Sequence, residues 1–275
     1  TTPAPWKKSL PCRRKSRRAS SSPTGRTSWA CEVRVTAGGW LFVLCTSAVS
    51  AGQFSGPVRL EVHTEARSVT VASYRLQRYL DTQICKAELV FNQAGEGDGD
   101  LVYRQDGLAD RLKLRAVNAD GKDPVPVWVT RKTAGVRTLG ELEGRDVSLV
   151  AGTDPLSGQL ALKALAAEGV TPKRGQRYEA GDFSSALGLL LHNNTHAAVS
   201  ELGLATPFLE SQGLAITWQG EPVSGAGWYA GTDTTNPGLQ PCLKALLELK
   251  RSDDRQIFNL FPEWVHGFAT PDSQP

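Results

Sequence analysis

The sequence has little of what metal, redox or nucleotide chemistry requires. Its five cysteines form no CxxC pair, so their spacing predicts neither a zinc site nor a redox motif. No P-loop, HExxH, GxSxG or GxGxxG motif stands in a supporting context, and the polar stretch GEGDGD is typical of a loop rather than of a calcium or nucleotide site. We therefore expect no catalytic residues, no metal and no cofactor.

The sequence also lacks an apolar run long enough to span a bilayer. Its most apolar stretch, WLFVLCTSAV at residues 40–49, has about ten residues, which is the length of the central region of a signal peptide. Val49-Ser50-Ala51 then reads as a small-residue cleavage signal. We expect export and removal of the leader after Ala51, with a buried strand as the alternative for this stretch.

Acidic residues are scarce at the amino end of the chain. Residues 1–34 contain nine Lys and Arg side chains and one acid, Glu32, so this segment carries about +8 and the remainder about −5 of the total +3. A basic run such as CRRKSRRASSS can touch nucleic acid or anionic lipid, but a solvated, unfolded tail is the interpretation we favour. We expect residues 1–51 to stay outside the fold, and we expect no nucleic-acid partner.

What the chain does have is a regular alternation of strand and helix patterns. The segment PVRLEVH, 57–63, alternates apolar and polar residues as a half-buried strand does. VASYRLQRYLDTQ, 71–83, places its apolar residues on one helical face, and KAELVF, 86–91, is typical of a second strand. The alternation continues to the end of the chain and predicts an α/β fold with mostly parallel sheets.

Two later segments carry specific helix signals. DFSSALGLLLHNN, 182–194, predicts a helix that Asp182 or Ser184 caps and that Asn193-Asn194 ends. PGLQPCLKALLELKR, 237–251, predicts another helix, and QIFNLFPEWVHGF is expected to carry a last one. Cys85 and Cys242 could form one disulfide in an oxidising compartment, but they lie far apart in the sequence, and we expect two separate buried thiols.

The order of these elements resembles a known family. The run VWVTRKTAGVRTLGELEGRDVSLVAGTDPLSGQLALKALAAEGV, the later DFSSALGLLLHNNTHAAVSE and the closing FPEWVHGF are similar to type 2 periplasmic binding proteins. More specifically, the chain resembles the phosphate/phosphite/phosphonate-binding (PhnD-like) subunits of ABC transporters, over roughly residues 125–270. Before that region the glycine loop 95–99, followed by DLVY, resembles a step of the same family.

The resemblance implies a two-lobed α/β fold in which each lobe is a mixed, mostly parallel sheet flanked by helices. Residues 52–125 and 231–275 would form the first lobe, and residues 126–230 the second. The first lobe is expected to be shortened, because the helix that usually precedes DLVY is reduced or missing. A small ligand would bind in the cleft between the lobes.

The stretch GTDPLSGQLALKALAAEGV, 152–170, leads from a polar loop into a helix. A helix N-terminus offers N–H groups without intrahelical partners at the positive end of the helix dipole, which suits an oxyanion. The resemblance places an anion-binding loop here, so Thr153, Ser157 and Gly158 are expected to hold the ligand. Ordinary N-capping is the alternative, and Asp154 would repel an anion unless it points away.

Three further elements complete the expected site. Ser184 and Ser185 open a second helix and are expected to contact the anion from another side, with N-capping again as the alternative. Tyr74 and Tyr103 fall at the ends of first-lobe elements and are expected to line the cleft, although core packing is the alternative for both.

These residues and the resemblance together imply an exported, monomeric solute-binding protein. It would capture a small oxyanion of the phosphonate, phosphite or phosphate class and deliver it to an ABC transporter permease by closing its lobes. A ligand-sensing or accessory module of the same fold, without a transport role, is the alternative. A hydrolase or transferase is a third class, but Ser157 has no His and Asp partners at motif spacing.

Overall fold

Eleven strands and five α-helices alternate along residues 56–92, 99–107, 109–232 and 235–271, which this computed structural model describes. The expected leader and tail (1–51) and most of the glycine loop, at 93–98, lie outside the described residues. The strands are β1 (Val58–Val62), β2 (Ala87–Phe91), β3 (Leu101–Arg104), β4 (Leu112–Val117), β5 (Pro126–Arg131), β6 (Val147–Val150), β7 (Arg177–Ala180), β8 (Ala197–Glu201), β9 (Leu214–Gln219), β10 (Gly227–Ala230) and β11 (Gly267–Ala269). The helices are α1 (Thr70–Thr82), α2 (Gln159–Ala167), α3 (Phe183–Leu191), α4 (Leu202–Ser211) and α5 (Leu239–Glu248).

The strands form two mixed sheets, which agrees with the predicted α/β class, but four of the nine strand pairings among the described residues are parallel, so the sheets are not mostly parallel as expected. The first sheet has six strands in the order β11-β4-β10-β3-β1-β2, with β1 parallel to both β2 and β3 and with β10 antiparallel to β3 and β4. The second has five strands in the order β7-β6-β8-β5-β9, with β6 parallel to β7 and β8 and with β5 antiparallel to its neighbours. The type 2 binding-protein architecture expected from the sequence is thereby confirmed.

The chain passes between the two sheets twice. The outward crossover, 118–125, follows β4, and the return crossover, 220–226, precedes β10, so β10 pairs in the first sheet. The buried Glu201 carboxylate links the outward crossover to the second sheet, because it accepts hydrogen bonds from Asn118 Nδ2 (3.1 Å) and from the Leu204 amide at the start of α4 (3.0 Å). Two adjacent crossovers are the arrangement about which two lobes can hinge.

Apolar faces of helices and strands pack the described residues into two clusters. In α1, Ala72, Leu76 and Leu80 recur every four residues and are buried beneath the first sheet. Burial of a leucine side chain stabilises the fold by about 1.5–3 kcal/mol. The strand β5 is buried on both faces, since Trp128 packs in the larger cluster while Val127 packs in the smaller one under α3 and α4. None of the described helices is long and apolar enough to cross a membrane.

A disulfide joins Cys85, just after α1, to Cys242 in α5. The expectation of two separate thiols is therefore wrong. The two cysteines are 157 residues apart in sequence, but α1 and α5 bury apolar faces in the same core cluster, which brings the sulfurs together.

The prediction of a last helix is also wrong. Its sequence forms a short 3₁₀ turn, Ile257–Leu260, an irregular loop and the strand β11. The Arg251 guanidinium replaces the helical hydrogen bonds, since it donates to the carbonyls of Val265 (2.7 Å) and Pro262 (3.0 Å). Burial lowers the pKa of Arg251 to about 10. Phe261 and Phe268 then pack edge-on against Tyr103 and Trp228 in an aromatic cluster that a regular helix would not form.

Candidate functional site

A cavity of about 350 Å³ opens where the ends of strands from both sheets meet. Its walls come from the last residue of β3 and from residues shortly after β1, β2, β3 and β6. In α/β proteins, ligands bind in the crevice beyond the carboxyl ends of parallel strands, so this is the position expected for a binding site. The cavity is lined by His63, Thr64, Glu65, Asn92, Arg104, Gln105, Asp106 and Thr153.

Thr153 lines the cavity with two donors that converge on one oxygen. Its amide and its hydroxyl both donate to Oε1 of Glu65, at 2.5 Å and 2.7 Å. The preceding Gly152 has a φ of 137°, and a Cβ at that position would overlap the Glu65 carboxylate. Glycine is therefore required for a negatively charged group to approach the backbone here. The loop after β6 holds an oxyanion, and in this molecule the oxyanion is the chain's own side chain.

Ser184 shows the same arrangement at the start of α3. Its amide donates to Glu263 Oε2 at 3.0 Å, and its hydroxyl makes a short hydrogen bond to Glu263 Oε1. The adjacent Ser185 amide donates to the Asp182 side chain (2.7 Å), so of the two predicted caps of this helix, Asp182 and Ser184, the structure uses Asp182. Glu263 belongs to the segment that leads into β11 of the first sheet, so this contact, like that of Glu65 with Thr153, joins the two lobes.

The turn that leads into α2 does not line the cavity, and its Asp154 carboxylate is bonded within the protein. The Asp154 carboxylate caps the Leu156 amide (2.9 Å) and accepts from Trp264 Nε1 (2.8 Å), and burial raises its pKa. Ser157 is buried, and Gly158 packs against the Leu149 side chain. Neither residue lines the cavity. The capping interpretation therefore describes this turn in the present conformation.

The two tyrosines lie in different surroundings. Tyr103, in β3, is fully buried next to the cavity residue Arg104, and burial raises its pKa well above the ordinary value. Its hydroxyl has no hydrogen-bond partner among the described residues. Tyr74 is 66% exposed on α1 and does not line the cavity. The structure thus brings Thr153 to the cavity, packs Tyr103 in the aromatic core and leaves Tyr74 outside.

Sequence reasoning missed the basic residues of the cavity. His63 follows β1 and Arg104 ends β3, and both line the cavity. His63 Nε2 lies 2.9 Å from Glu61 Oε1, and Glu61 is completely buried, so the imidazole has a fixed carboxylate partner behind it. Their position in the sequence could have identified them, because both residues come at the carboxyl ends of predicted parallel strands, where ligands bind in α/β proteins.

The cavity carries charges of both signs. Its lining includes the basic residues His63 and Arg104 and the acidic residues Glu65 and Asp106, together with hydroxyl and amide side chains. Among the described residues, no carboxylate lies within salt-bridge distance of Arg104. The same described residues contain no group of three His, Cys, Asp or Glu side chains that could hold a metal ion.

Comparison with known proteins identifies the family. Residues 102–274 match the family described as ABC transporter, phosphonate, periplasmic substrate-binding protein, and the chain belongs to that family. Its members are substrate-binding proteins rather than enzymes. No curated protein sequence in the comparison matches the chain.

Solved structures share the fold at low identity. PhnD1 from Prochlorococcus marinus, in complex with methylphosphonate, is 15% identical with a TM-score of 0.53, over 78% of this chain and 93% of that one. XAC2383 from Xanthomonas citri, bound to ATP, is 15% identical with a TM-score of 0.55, over 80% of this chain and 92% of that one. At such identities the likeness establishes the architecture alone.

Proposed function

We propose that this chain is an exported, monomeric binding protein that captures a small oxyanion of the phosphonate, phosphite or phosphate class between its lobes and delivers it to an ABC permease. Membership of the phosphonate-binding family supports this ligand class. The position of the cavity, at the strand ends where both sheets contribute residues, supports capture between the lobes.

The observation that carries the proposal is the pair of donors on Thr153. An amide and a hydroxyl that already hold one carboxylate oxygen are equally suited to a phosphonate oxygen, since both are charged acceptors. Arg104 lines the same cavity and supplies positive charge from the first lobe. The planar guanidinium of arginine matches two oxygens of a tetrahedral anion.

Binding of the ligand requires the Glu65 carboxylate to release Thr153. This exchange favours binding because the anion, placed beside the guanidinium of Arg104, accepts the two Thr153 donors more strongly than the Glu65 carboxylate does. A modest net gain in binding free energy suits a protein that must also release its ligand.

The test is a thermal-shift titration of the full chain with methylphosphonate, phosphite and phosphate. A ligand at 100 times its dissociation constant adds about 2.7 kcal/mol to the free energy of unfolding. Thr153→Val removes one donor to a charged group and should weaken binding at least about 10-fold. Thr206→Val is the matched control, because the Thr206 hydroxyl donates only to the Leu202 carbonyl on α4. No stabilisation by any of the three anions would contradict the proposal.

Delivery is tested separately in cells. Deletion of the encoding gene should lower uptake of labelled methylphosphonate, and the wild-type gene should restore the uptake. Normal uptake in the deletion strain, combined with binding by the purified chain, would instead favour the sensing or accessory role.

A further inference from the structure

Among the residues that the structure describes, Thr153 is the one that the second lobe contributes to the cavity. The other lining residues all come from the first lobe, before the outward crossover. The distance between the Thr153 donors and the Arg104 guanidinium therefore depends on how the loop after β6 is held against the first lobe.

The position of Thr153 is set mainly by the residue that follows it. On its other side lies Gly152, which has a φ of 137° and no side chain to anchor the loop. Asp154 is buried, and both oxygens of its carboxylate are bonded: Oδ1 accepts from the Leu156 amide of the same turn (2.9 Å) and Oδ2 from Trp264 Nε1 of the first lobe (2.8 Å). Of these two bonds, the one from Trp264 crosses between the lobes.

The Trp264 indole is firmly anchored in the first lobe. Its side chain is 1% exposed and packs in the larger core cluster. The carbonyls of Pro262 and Val265, on either side of it, accept hydrogen bonds from the Arg251 guanidinium at 3.0 Å and 2.7 Å. The preceding residue, Glu263, bonds to the start of α3, so this segment meets the second lobe at two points.

Trp264 does not line the cavity, so any effect that it has on a ligand has to pass through other residues. The bond between Glu65 and Thr153 is given up when an anion takes the two donors, whereas the bond between Trp264 and Asp154 uses no donor of the cavity and persists. Groups that bind a ligand need supporting residues that hold them within about 0.5 Å of the productive position.

We propose that Trp264 is a positioning residue for anion binding: its hydrogen bond to Asp154 holds the adjacent Thr153 donors against the first lobe, where they and Arg104 take the anion together. This inference rests on the proposed function and adds a contact outside the cavity that keeps the two walls of the site at a fixed separation. It also gives the Asp154 carboxylate a favourable role, although a negative charge near the site would by repulsion alone weaken anion binding.

The experiment measures dissociation constants for methylphosphonate by calorimetry, using the full chain. Trp264→Phe removes the indole N–H. Asp154→Asn replaces one accepting oxygen by a donor, and since both partners of this carboxylate are donors, the turn loses one of the two bonds that fix it. Each variant should weaken binding at least about 5-fold, because it loosens a group that holds the ligand. Repulsion alone predicts the opposite sign for Asp154→Asn.

A double variant shows whether Trp264 acts through Thr153. Thr153→Val and Trp264→Phe alter the same donors, so together they should weaken binding at least about 3-fold less than the product of their single effects. A purely structural role of Trp264 would make the two effects independent, and they would then multiply.

The chain offers a matched control for each single variant. Trp128 is also fully buried, but its Nε1 donates to the Ala161 carbonyl within the second lobe, at 2.9 Å. Asp182 also caps a helix of the second lobe, α3, and does not line the cavity. Trp128→Phe and Asp182→Asn should therefore bind methylphosphonate within about 2-fold of the wild type.

Three results would overturn the inference and leave the proposed function standing. They are wild-type or tighter binding by Asp154→Asn, independent effects in the double variant, and weakening by Trp128→Phe as large as that by Trp264→Phe. If thermal melting shows that Trp264→Phe does not fold, Asp154→Asn decides alone. Failure of the wild type to bind methylphosphonate, phosphite or phosphate overturns both this inference and the proposed function.

Discussion

The indole nitrogen of Trp264 donates a 2.8 Å hydrogen bond to the buried carboxylate of Asp154, a residue 110 positions away. This contact ties the loop after β6 in the second sheet to the segment that leads into β11 in the first. It also turns the Asp154 carboxylate away from the cavity, which Asp154 does not line. The repulsion that Asp154 would exert on a bound anion is thereby reduced.

The buried Asp154 should make stability depend on pH. Burial raises its pKa above the ordinary 3.8, although hydrogen bonds from Leu156 and Trp264 oppose this. The native state therefore binds the Asp154 proton at a higher pH than the unfolded state does, and the contribution of this group to stability falls as pH rises from about 3.8 through the raised pKa. The Asp154→Asn variant has no titratable group at this position, so its free energy of unfolding should lack this pH-dependent contribution. Urea unfolding of both proteins from pH 4 to 8 measures the difference in slope, and parallel curves would contradict the assignment.

The disulfide should contribute substantially to stability. Cross-linking Cys85 to Cys242 closes a loop of 157 residues, and loss of the bond should cost about 2–5 kcal/mol on the loop-entropy account. The double variant Cys85→Ala, Cys242→Ala should unfold at lower denaturant concentration than the oxidised wild type. Reductant should lower the wild-type midpoint and leave that of the variant unchanged. A variant with the wild-type midpoint would show that the bond does not stabilise the native state.

Substitution by alanine should have opposite effects on stability at two glycines, Gly227 in β10 and Gly188 in α3. A Cβ on Gly227 would overlap the Leu114 carbonyl of the neighbouring strand, so Gly227→Ala should destabilise the fold by at least about 2 kcal/mol. Gly188 lies within α3 with nothing within 4 Å of a Cβ, so Gly188→Ala should stabilise by about 0.5–1 kcal/mol. Thermal melting compares the two variants directly. Equal effects of the two substitutions would mean that strand packing at β10 is looser than described.

The leader hypothesis predicts the first residue of the mature protein. Cleavage after Ala51 would give secreted material that begins at Gly52. N-terminal sequencing and intact mass of protein from the extracytoplasmic fraction test this. A mature chain that begins before residue 40 would contradict export by this segment.

Local patterns in the sequence were sufficient for most of the fold. The predicted helix at 71–83 corresponds to Thr70–Thr82, and the Asp182 cap was correct, because apolar spacing and capping act within one or two turns. The prediction of a last helix was wrong because Arg251 supplies hydrogen bonds to the Pro262 and Val265 carbonyls. Arg251 lies more than ten residues away from both, so no local pattern indicates this contact.

The contacts at the site could not be predicted in the same way. Glu65 and Thr153 are 88 residues apart, and Ser184 and Glu263 are 79 apart. Each of these contacts joins the two lobes, so it depends on how the lobes close and not on any local spacing. Thr153 does act as a hydrogen-bond donor, but its role in holding a ligand stays a prediction, and no pattern in the sequence indicates that a carboxylate of the same chain would meet it.

The most direct measurement is a calorimetric titration of the full chain with methylphosphonate, beside Thr153→Val and Thr206→Val. We predict saturable binding at one site per chain, weakened at least about 10-fold by Thr153→Val and unchanged by Thr206→Val. Absence of binding to methylphosphonate, phosphite and phosphate, or equal affinity in all three proteins, would contradict the account.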